Sequence, residues 1–373
     1  MKILIDATNI KVGGGVQVAV SVISELYNTH NQSHKFLFFV SDKVFVQLSE
    51  DLQQKASVVT TGVSNLLPFG GCNKQLIEAS KEVDCTFTIF GPSYWNPKSK
   101  HVIGFANAWL VSKNTPAYSI FPWTKRHLYK FKNYLLGKLL YSKGKFYITE
   151  TESVKAAFID CFDSEKEYIS VVSNTLPYIY KDDYEQRGFF SEKLNECNAY
   201  FKFVSITHNY PHKNLNIIAD VGALLDKHGV EAIFIVTFAD NEYERQSEKF
   251  KKYTLNVGPV DIYECRELYQ NADALFLPTL IECFSVSYLE AMANNLCITT
   301  SDYDFAKDVC GDSAIYFDPL SPDDIANKLL RVIKEESLRH KLTLKGARRL
   351  SKFPDNEMKV KSYLNIIERF VRD

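Results

Sequence analysis

Four consecutive runs decide how this chain folds: Ala274-Leu275-Phe276-Leu277, then Pro278-Thr279-Leu280-Ile281-Glu282-Cys283-Phe284, then Ser285-Val286-Ser287-Tyr288-Leu289-Glu290-Ala291-Met292-Ala293, then Cys297-Ile298-Thr299-Thr300. The first and last are short and apolar, the pattern of strands buried on both faces. Between them lie a loop and a helix that begins around Ser285. Strand, loop, helix and strand is the repeating element of a doubly wound parallel sheet. Unpaired amides at the helix N-terminus, with the helix dipole, favour an anion such as a diphosphate. Glu290, further along the helix, has reach for sugar or ribose hydroxyls. Taken alone, two glutamates at this spacing are also what chance places on a solvated surface.

The same rhythm extends on both sides. Upstream come Phe201-Lys202-Phe203-Val204-Ser205-Ile206, a helix from about Asn214 to His228, the run Ala232-Ile233-Phe234-Ile235-Val236 and a helix near Ile262 to Gln270. The first half opens with Ile3-Leu4-Ile5, the glycines Gly13-Gly14-Gly15, and a helix carrying Val16, Val20, Ile23 and Leu26. Strands follow near residues 36–40, 58–60, 85–90, 101–105, 146–149 and 169–172, with Ser153 as N-cap of a helix running to about Cys161. A length of 373 residues exceeds one ordinary core. The expected organisation is a Rossmann-like domain over 1–177, a linker over 178–198, a second Rossmann-like domain over 199–350, and a C-terminal helix over 351–373 packing back toward the first.

At Glu282, Phe284, Leu289, Glu290, Ala291, Met292 and Ala293 the sequence resembles the E-x7-E signature of glycosyltransferase family 4, retaining enzymes of the GT-B fold. It departs at Cys283 and Ser285, where that family commonly has glycine. A second match is Thr207-His208-Asn209-Tyr210-Pro211-His212-Lys213-Asn214: Lys213 fits the family's Lys, and His208 stands where Arg is usual. Lys213 also reads simply as the start of a helix after a proline turn. Gly14-Gly15-Val16 resembles the family's first-domain glycine loop, and no full G-x-G-x-x-G marks a dinucleotide cofactor. Asn107 occupies the family's polar position after a mid-domain strand, where capping the next turn is the other reading. Asn174-Thr175-Leu176 and Gly258-Pro259-Val260 resemble the segments near the hinge and the nucleobase.

The resemblance implies two domains facing a central cleft and glycosyl transfer, with retention, from a nucleoside diphosphate sugar (UDP or GDP). Glu282, Lys213 and Asn107 would be catalytic. Glu290, His208, Phe284, Ser285, Val286, Gly14, Gly15, Gly258 and Val260 would bind donor. No cofactor and no metal is expected, because no Asp-x-Asp pair is placed for one. The acceptor expected is a glycan or lipid-linked oligosaccharide of surface-polysaccharide type. A nucleotide-sugar 2-epimerase of the same architecture, a carboxylate-pair hydrolase and a non-catalytic sugar-binding subunit are the competing classes.

Composition adds little: net charge is −1, 46% of residues are hydrophobic and 24% charged. Cys72, Cys85, Cys161, Cys197, Cys265, Cys283, Cys297 and Cys310 are scattered without a CxxC pair, as in reduced cytosolic proteins. The first residues do not read as a secretory signal, and no run reaches the ~18 apolar residues of a spanning helix. One local imbalance stands out. From Cys85 to Thr149 there is no acid, while Lys98, Lys100, Lys113, Lys125, Arg126, Lys130, Lys132, Lys138, Lys143 and Lys145 are all basic. Aromatic and aliphatic residues interleave, and from Thr124 to Tyr141 the spacing approximates an amphipathic helix with a basic face. The expectation is peripheral docking on an anionic membrane surface, at the cytoplasmic side. A solvated basic face over an ordinary core helix is the alternative, and no nucleic-acid recognition motif accompanies the charge.

Overall fold

In the computed structural model, residues 1–29, 33–66, 74–113, 115–141, 145–165, 168–180 and 188–372 are described. Cys72, Lys143 and the central part of the expected linker, 181–187, lie outside them. The first sheet contains β1 (Lys2–Ala7), β2 (Lys35–Val40), β3 (Ala56–Val58), β4 (Cys85–Gly91), β5 (Lys100–Phe105), β6 (Phe146–Thr149) and β7 (Ile169–Val171). Its seven strands lie in the order β3-β2-β1-β4-β5-β6-β7. The second contains β8 (Phe201–Ser205), β9 (Ala232–Val236), β10 (Thr254–Asn256), β11 (Ala274–Leu277), β12 (Cys297–Ser301) and β13 (Ala314–Phe317). Its six strands run β10-β9-β8-β11-β12-β13. The described pairings in both sheets are parallel.

Each order reverses once, between β1 and β4 in the first sheet and between β8 and β11 in the second. Loops leaving the carboxyl ends of those strands flank a crevice, the place where open α/β sheets hold ligands. The central strands are largely apolar, as in sheets covered by helices on both faces. β9 and β11 are buried throughout; the rings of Phe203 and Phe234 meet across neighbouring strands at 5.1 Å, and Phe234 also reaches Phe276, two strands away, at 5.0 Å.

The chain divides into two compact units. The first comprises Met1–Lys113, His127–Thr175 and Pro354–Asp373; the second comprises Asn114–Arg126 and Leu176–Phe353. In the first unit the helix Asn356–Arg372 buries Val360, Tyr363, Leu364, Ile367 and Phe370 in the core of the seven-stranded sheet. The stretch 115–126, which the sequence reading left in the first domain, groups with the second unit.

Several local expectations shift. The strand expectations omit β10 and β13; both are short edge strands, β10 reading Thr-Leu-Asn with no strand signal of its own and β13 reading Ala-Ile-Tyr-Phe, whose β-branched and aromatic residues do favour a strand. Ser153 is not the N-cap: Thr151 caps the helix Glu152–Phe162 by accepting a hydrogen bond from Val154 N. The helix expected from Asn214 starts later, at Ile218, because Asn214 adopts the left-handed region at φ 57 and a 3-10 turn intervenes.

Candidate functional site

The loops after β8 and β11 are sewn together. Ser205 Oγ donates to Phe276 O at 2.6 Å, fixing the end of β8 against β11. The chain then makes a 3-10 turn over Pro211–Lys213, ended by Asn214, whose side chain donates to Pro319 O at 2.8 Å. From the other loop, Leu280 N donates to His212 O at 2.8 Å, and Thr279 Oγ1 donates to the same oxygen at 3.3 Å. Thr115 Oγ1 donates to Leu280 O at 3.1 Å, so the stretch 115–126 braces the loop as well.

These bonds bring Lys213 and Glu282 together as an ion pair, with side chains only 17% and 16% exposed. Burial, with the Lys213 charge adding and Glu282 opposing, holds the imidazole of His212 below its ordinary range, which keeps the ring neutral at neutral pH. Tyr210 stacks on His212 with centroids 5.6 Å apart. His208 is exposed, and its ring lies 5.5 Å from that of Tyr210.

The helix Val286–Ala293 begins directly after Glu282-Cys283-Phe284-Ser285. Ser285 takes the N-cap position without a side-chain capping bond. Among the described residues the backbone N–H groups of Phe284, Ser285 and Val286 have no hydrogen-bond partner. Donors left over at a helix start, at the positive end of its dipole, form a ready anion site.

Glu290 lies one turn into this helix and turns inward. It is 9% exposed, and its Oε2 accepts from Tyr269 Oη at 2.9 Å. Burial pushes its carboxyl up to about 7, and the Tyr269 bond pulls against that. The Glu290 charge in turn raises the phenols of Tyr269 and Tyr180, after burial itself. Its carboxylate therefore meets a tyrosine first, a partner that the sequence pattern did not show.

Gly258 and Val260 follow β10, two strand spacings from β8, about 10 Å across the sheet. Gly258 sits at φ +87, a conformation that favours glycine, and Val260 is partly buried against the core.

In the first unit, Gly13 holds the positive φ (+64) after β1, and Gly14 and Gly15 open the helix Gly14–Asn28. A Cβ on Gly14 would meet nothing within 4 Å. Asn107 precedes the short helix Ala108–Val111 at the N-cap position but makes no side-chain capping bond. Beneath this edge lies a buried acid that the sequence reading passed over. Asp6 Oδ1 accepts from Thr8 N at 3.0 Å and Thr8 Oγ1 at 2.7 Å, and Oδ2 accepts from Thr88 Oγ1 at 2.9 Å and Trp95 Nε1 at 3.0 Å.

The described cysteines are free thiols. Among the described residues no group of three or more His, Cys, Asp or Glu is placed to hold a metal ion. No described helix is long and apolar enough to cross a membrane. Sequence reasoning missed Tyr269, His212 and Thr115. Tyr269 alone left a trace, as an apolar position of the helix Ile262–Gln270 that also carries a hydroxyl.

Comparison with known proteins bears on this geometry. Residues 186–349 match the family described as Glycosyl transferases group 1. The O-antigen chain mannosyltransferase RfbU of Salmonella typhimurium strain LT2 is 25% identical over 194 residues, 50% of this chain and 50% of that protein. The match thus spans about half the length of that relative. A glycosyltransferase from Rickettsia africae ESF-5 superposes with a TM-score of 0.73 at 14% identity, over 100% of this chain and 99% of that one. HepE of Anabaena, solved in complex with UDP-glucose, superposes with a TM-score of 0.73 at 14% identity, over 98% of this chain and 99% of that one. The two doubly wound sheets are those of the GT-B glycosyltransferase fold, and the residues that match the glycosyl transferases group 1 model include Lys213, Glu282 and Glu290.

Proposed function

We propose that the protein is a retaining glycosyltransferase of family 4 that moves a hexosyl group from a UDP or GDP sugar to a glycan acceptor. The observation that carries this reading is the Lys213–Glu282 pair beside the open N-terminus of Val286–Ala293, inside the segment that matches a transferase family. Breaking a sugar–phosphate bond leaves negative charge on the diphosphate, and neutralising that charge is the main catalytic demand. Lys213 and the amides of Phe284, Ser285 and Val286 supply the positive potential. His208 adds a contact when the loop after β8 carries the diphosphate.

Glu282 accepts hydrogen bonds from the sugar hydroxyls and competes for Lys213 until the diphosphate arrives. Glu290 orients the ribose, and Gly258 and Val260 present backbone to the base. The first unit's own candidates are Gly14 and Gly15 for donor binding and Asn107 for catalysis. The neutralisation is done by side chains and amides, so transfer proceeds without a divalent cation. The O-antigen chain mannosyltransferase relative supports an acceptor of surface-polysaccharide type; a lipid carrier for that acceptor, met at the cytoplasmic face of the membrane, completes the proposal.

The test is a thermal-shift screen with UDP, GDP and their sugars, run on the wild type and on Lys213→Ala. A ligand that binds only the folded state raises the melting temperature, by about 2.7 kcal/mol of stabilisation at a hundred times its Kd. One nucleotide class should shift the wild type and leave Lys213→Ala nearly unmoved. Equal shifts in both proteins would refute the diphosphate site, and turnover of donor without acceptor into an epimer would refute transfer.

A further inference from the structure

We propose that the helix Trp123–Leu140 is a docking element whose outward aromatic stripe seats in the interface of an anionic lipid bilayer. At 3.6 residues per turn Trp123, Leu128, Phe131, Tyr134 and Leu135 fall on one face of this helix. That face is turned to solvent: the five side chains are 71%, 66%, 58%, 56% and 49% exposed. The opposite face does the packing. Gly137 is buried, and a Cβ there would come within 3.1 Å of the Phe162 ring, while Asn133, Leu136 and Leu140 are half-covered. The sequence pattern suggests a basic face outward; the structure puts aromatic rings there and sets exposed Lys125, Lys132 and Lys138 around them.

Other cations of the same acid-free run are committed elsewhere. Lys100 Nζ donates to Phe370 O at 2.8 Å, Lys113 pairs with Asp160 at 3.3 Å, and Lys145 Nζ donates to Asn96 Oδ1 at 3.0 Å. On the helix, Lys132 and Lys138 stay exposed while lying over the rings of Tyr129 and Tyr134, at 6.0 and 5.8 Å, beside an apolar patch of a size that marks an interaction site.

Charge complementarity selects the occupant. A second copy seated on this face would set Lys125, Lys132 and Lys138 against their own counterparts, with no acid between residues 85 and 149 to compensate. An anionic bilayer satisfies both features at once: headgroups take the ammonium groups, and the acyl boundary takes the rings and Leu128 and Leu135. The purpose of docking, presenting a lipid-carried acceptor, rests on the function proposed above; the docking itself is measured without any transfer.

The experiment is flotation of the full chain with vesicles of phosphatidylglycerol or of phosphatidylcholine, at low and high salt, with tryptophan emission recorded alongside. The expected result is binding to phosphatidylglycerol vesicles only, lost at high salt, with an emission blue shift that Trp123→Phe removes. Joint reversal of Lys125, Lys132 and Lys138 to Glu should weaken binding by roughly a hundredfold, and Phe131→Ser with Leu135→Ser should weaken binding at low salt and shrink the blue shift. Circular dichroism and donor-induced thermal shift on the same variants confirm folding and an intact donor site. No binding to either vesicle, or equal binding to both, overturns the proposal. So does a concentration-dependent dimer that Phe131→Ser dissolves, which would make the stripe a contact between copies.

Discussion

The two sheets share the strand order that places a crevice beside their first strand, yet the edges of those crevices are built from opposite materials. At the end of β1 the charge is internal: Asp6 is 1% exposed and spends both oxygens on Thr8, Thr88 and Trp95. At the end of β8 the buried residue is Ser205, and the charges, Lys213 and Glu282, stand in the loops beyond. One acid organises loops; the other pair has potential to offer a ligand. A common topology supplies two candidate crevices, and the loop residues decide what each can do.

Exchanging the two losses should break or sharpen that contrast. Lys213→Ala should lower transfer by about 10²–10³-fold, the usual cost of one charge-stabilising donor, while its unfolding midpoint in urea stays near that of the wild type. Asp6→Ala should do the reverse. Leaving Thr8 N and Trp95 Nε1 buried without an acceptor should cost about 3 kcal/mol in stability, with nucleotide affinity little changed in whatever remains folded. If Asp6→Ala keeps its stability and Lys213→Ala loses it, the assignment of roles is inverted.

Glu282→Gln tests whether the pair is a competition. It removes the carboxylate's hold on Lys213, so affinity for the free nucleoside diphosphate should rise by several-fold, of the order expected for a partly exposed ion pair, while transfer falls. Isothermal titration and steady-state rates on one preparation read both; a parallel loss of affinity and rate would end the competition argument.

Glu290 gives a pH signature. Its carboxyl titrates at about 7 in the folded chain, above the ordinary carboxylate range. The folded state therefore binds this proton more tightly than the unfolded state, and stability should fall as pH rises from roughly 4.5 through 7 and then level off. Donor affinity should move the other way, rising through the same range as the ionised group accepts from ribose hydroxyls. Glu290→Gln should flatten both curves in this window. A donor-affinity profile that keeps its slope in Glu290→Gln would place the titrating group elsewhere.

The smallest expected effect is at Gly258. Its φ of +87 makes Gly258→Ala strained by about 1 kcal/mol, and the loss should appear in nucleoside affinity more than in melting temperature. An unchanged affinity would remove this loop from the base site.

How much of this was legible beforehand follows from range. Strand and helix assignments depend on neighbours within one or two turns, so the alternation, the helix Ile262–Gln270 and the apolar runs of β8, β9, β11 and β12 were open to reading. Residues set by a local motif, Glu282, Phe284 and Glu290 around one helix start, were equally visible. Thr254–Asn256 was not, because an edge strand that short and polar is made by its partner β9 and not by its own propensity.

The sequence by itself determined which residues are paired with which kind of local structure, where glycine was required, and that residues 85–149 hold no acid. Only the tertiary structure decided which distant groups meet and which face of an element is covered. Lys213 and Glu282 are 69 residues apart and touch because β8 and β11 are neighbours at the point where the strand order reverses. Glu290 turns toward Tyr269 because the helix Ile262–Gln270 packs against its own helix. The helix Trp123–Leu140 shows two faces in its periodicity, but periodicity cannot say which is buried. Packing settled that by seating Gly137 against Phe162, which left Trp123, Leu128 and Phe131 on the outside.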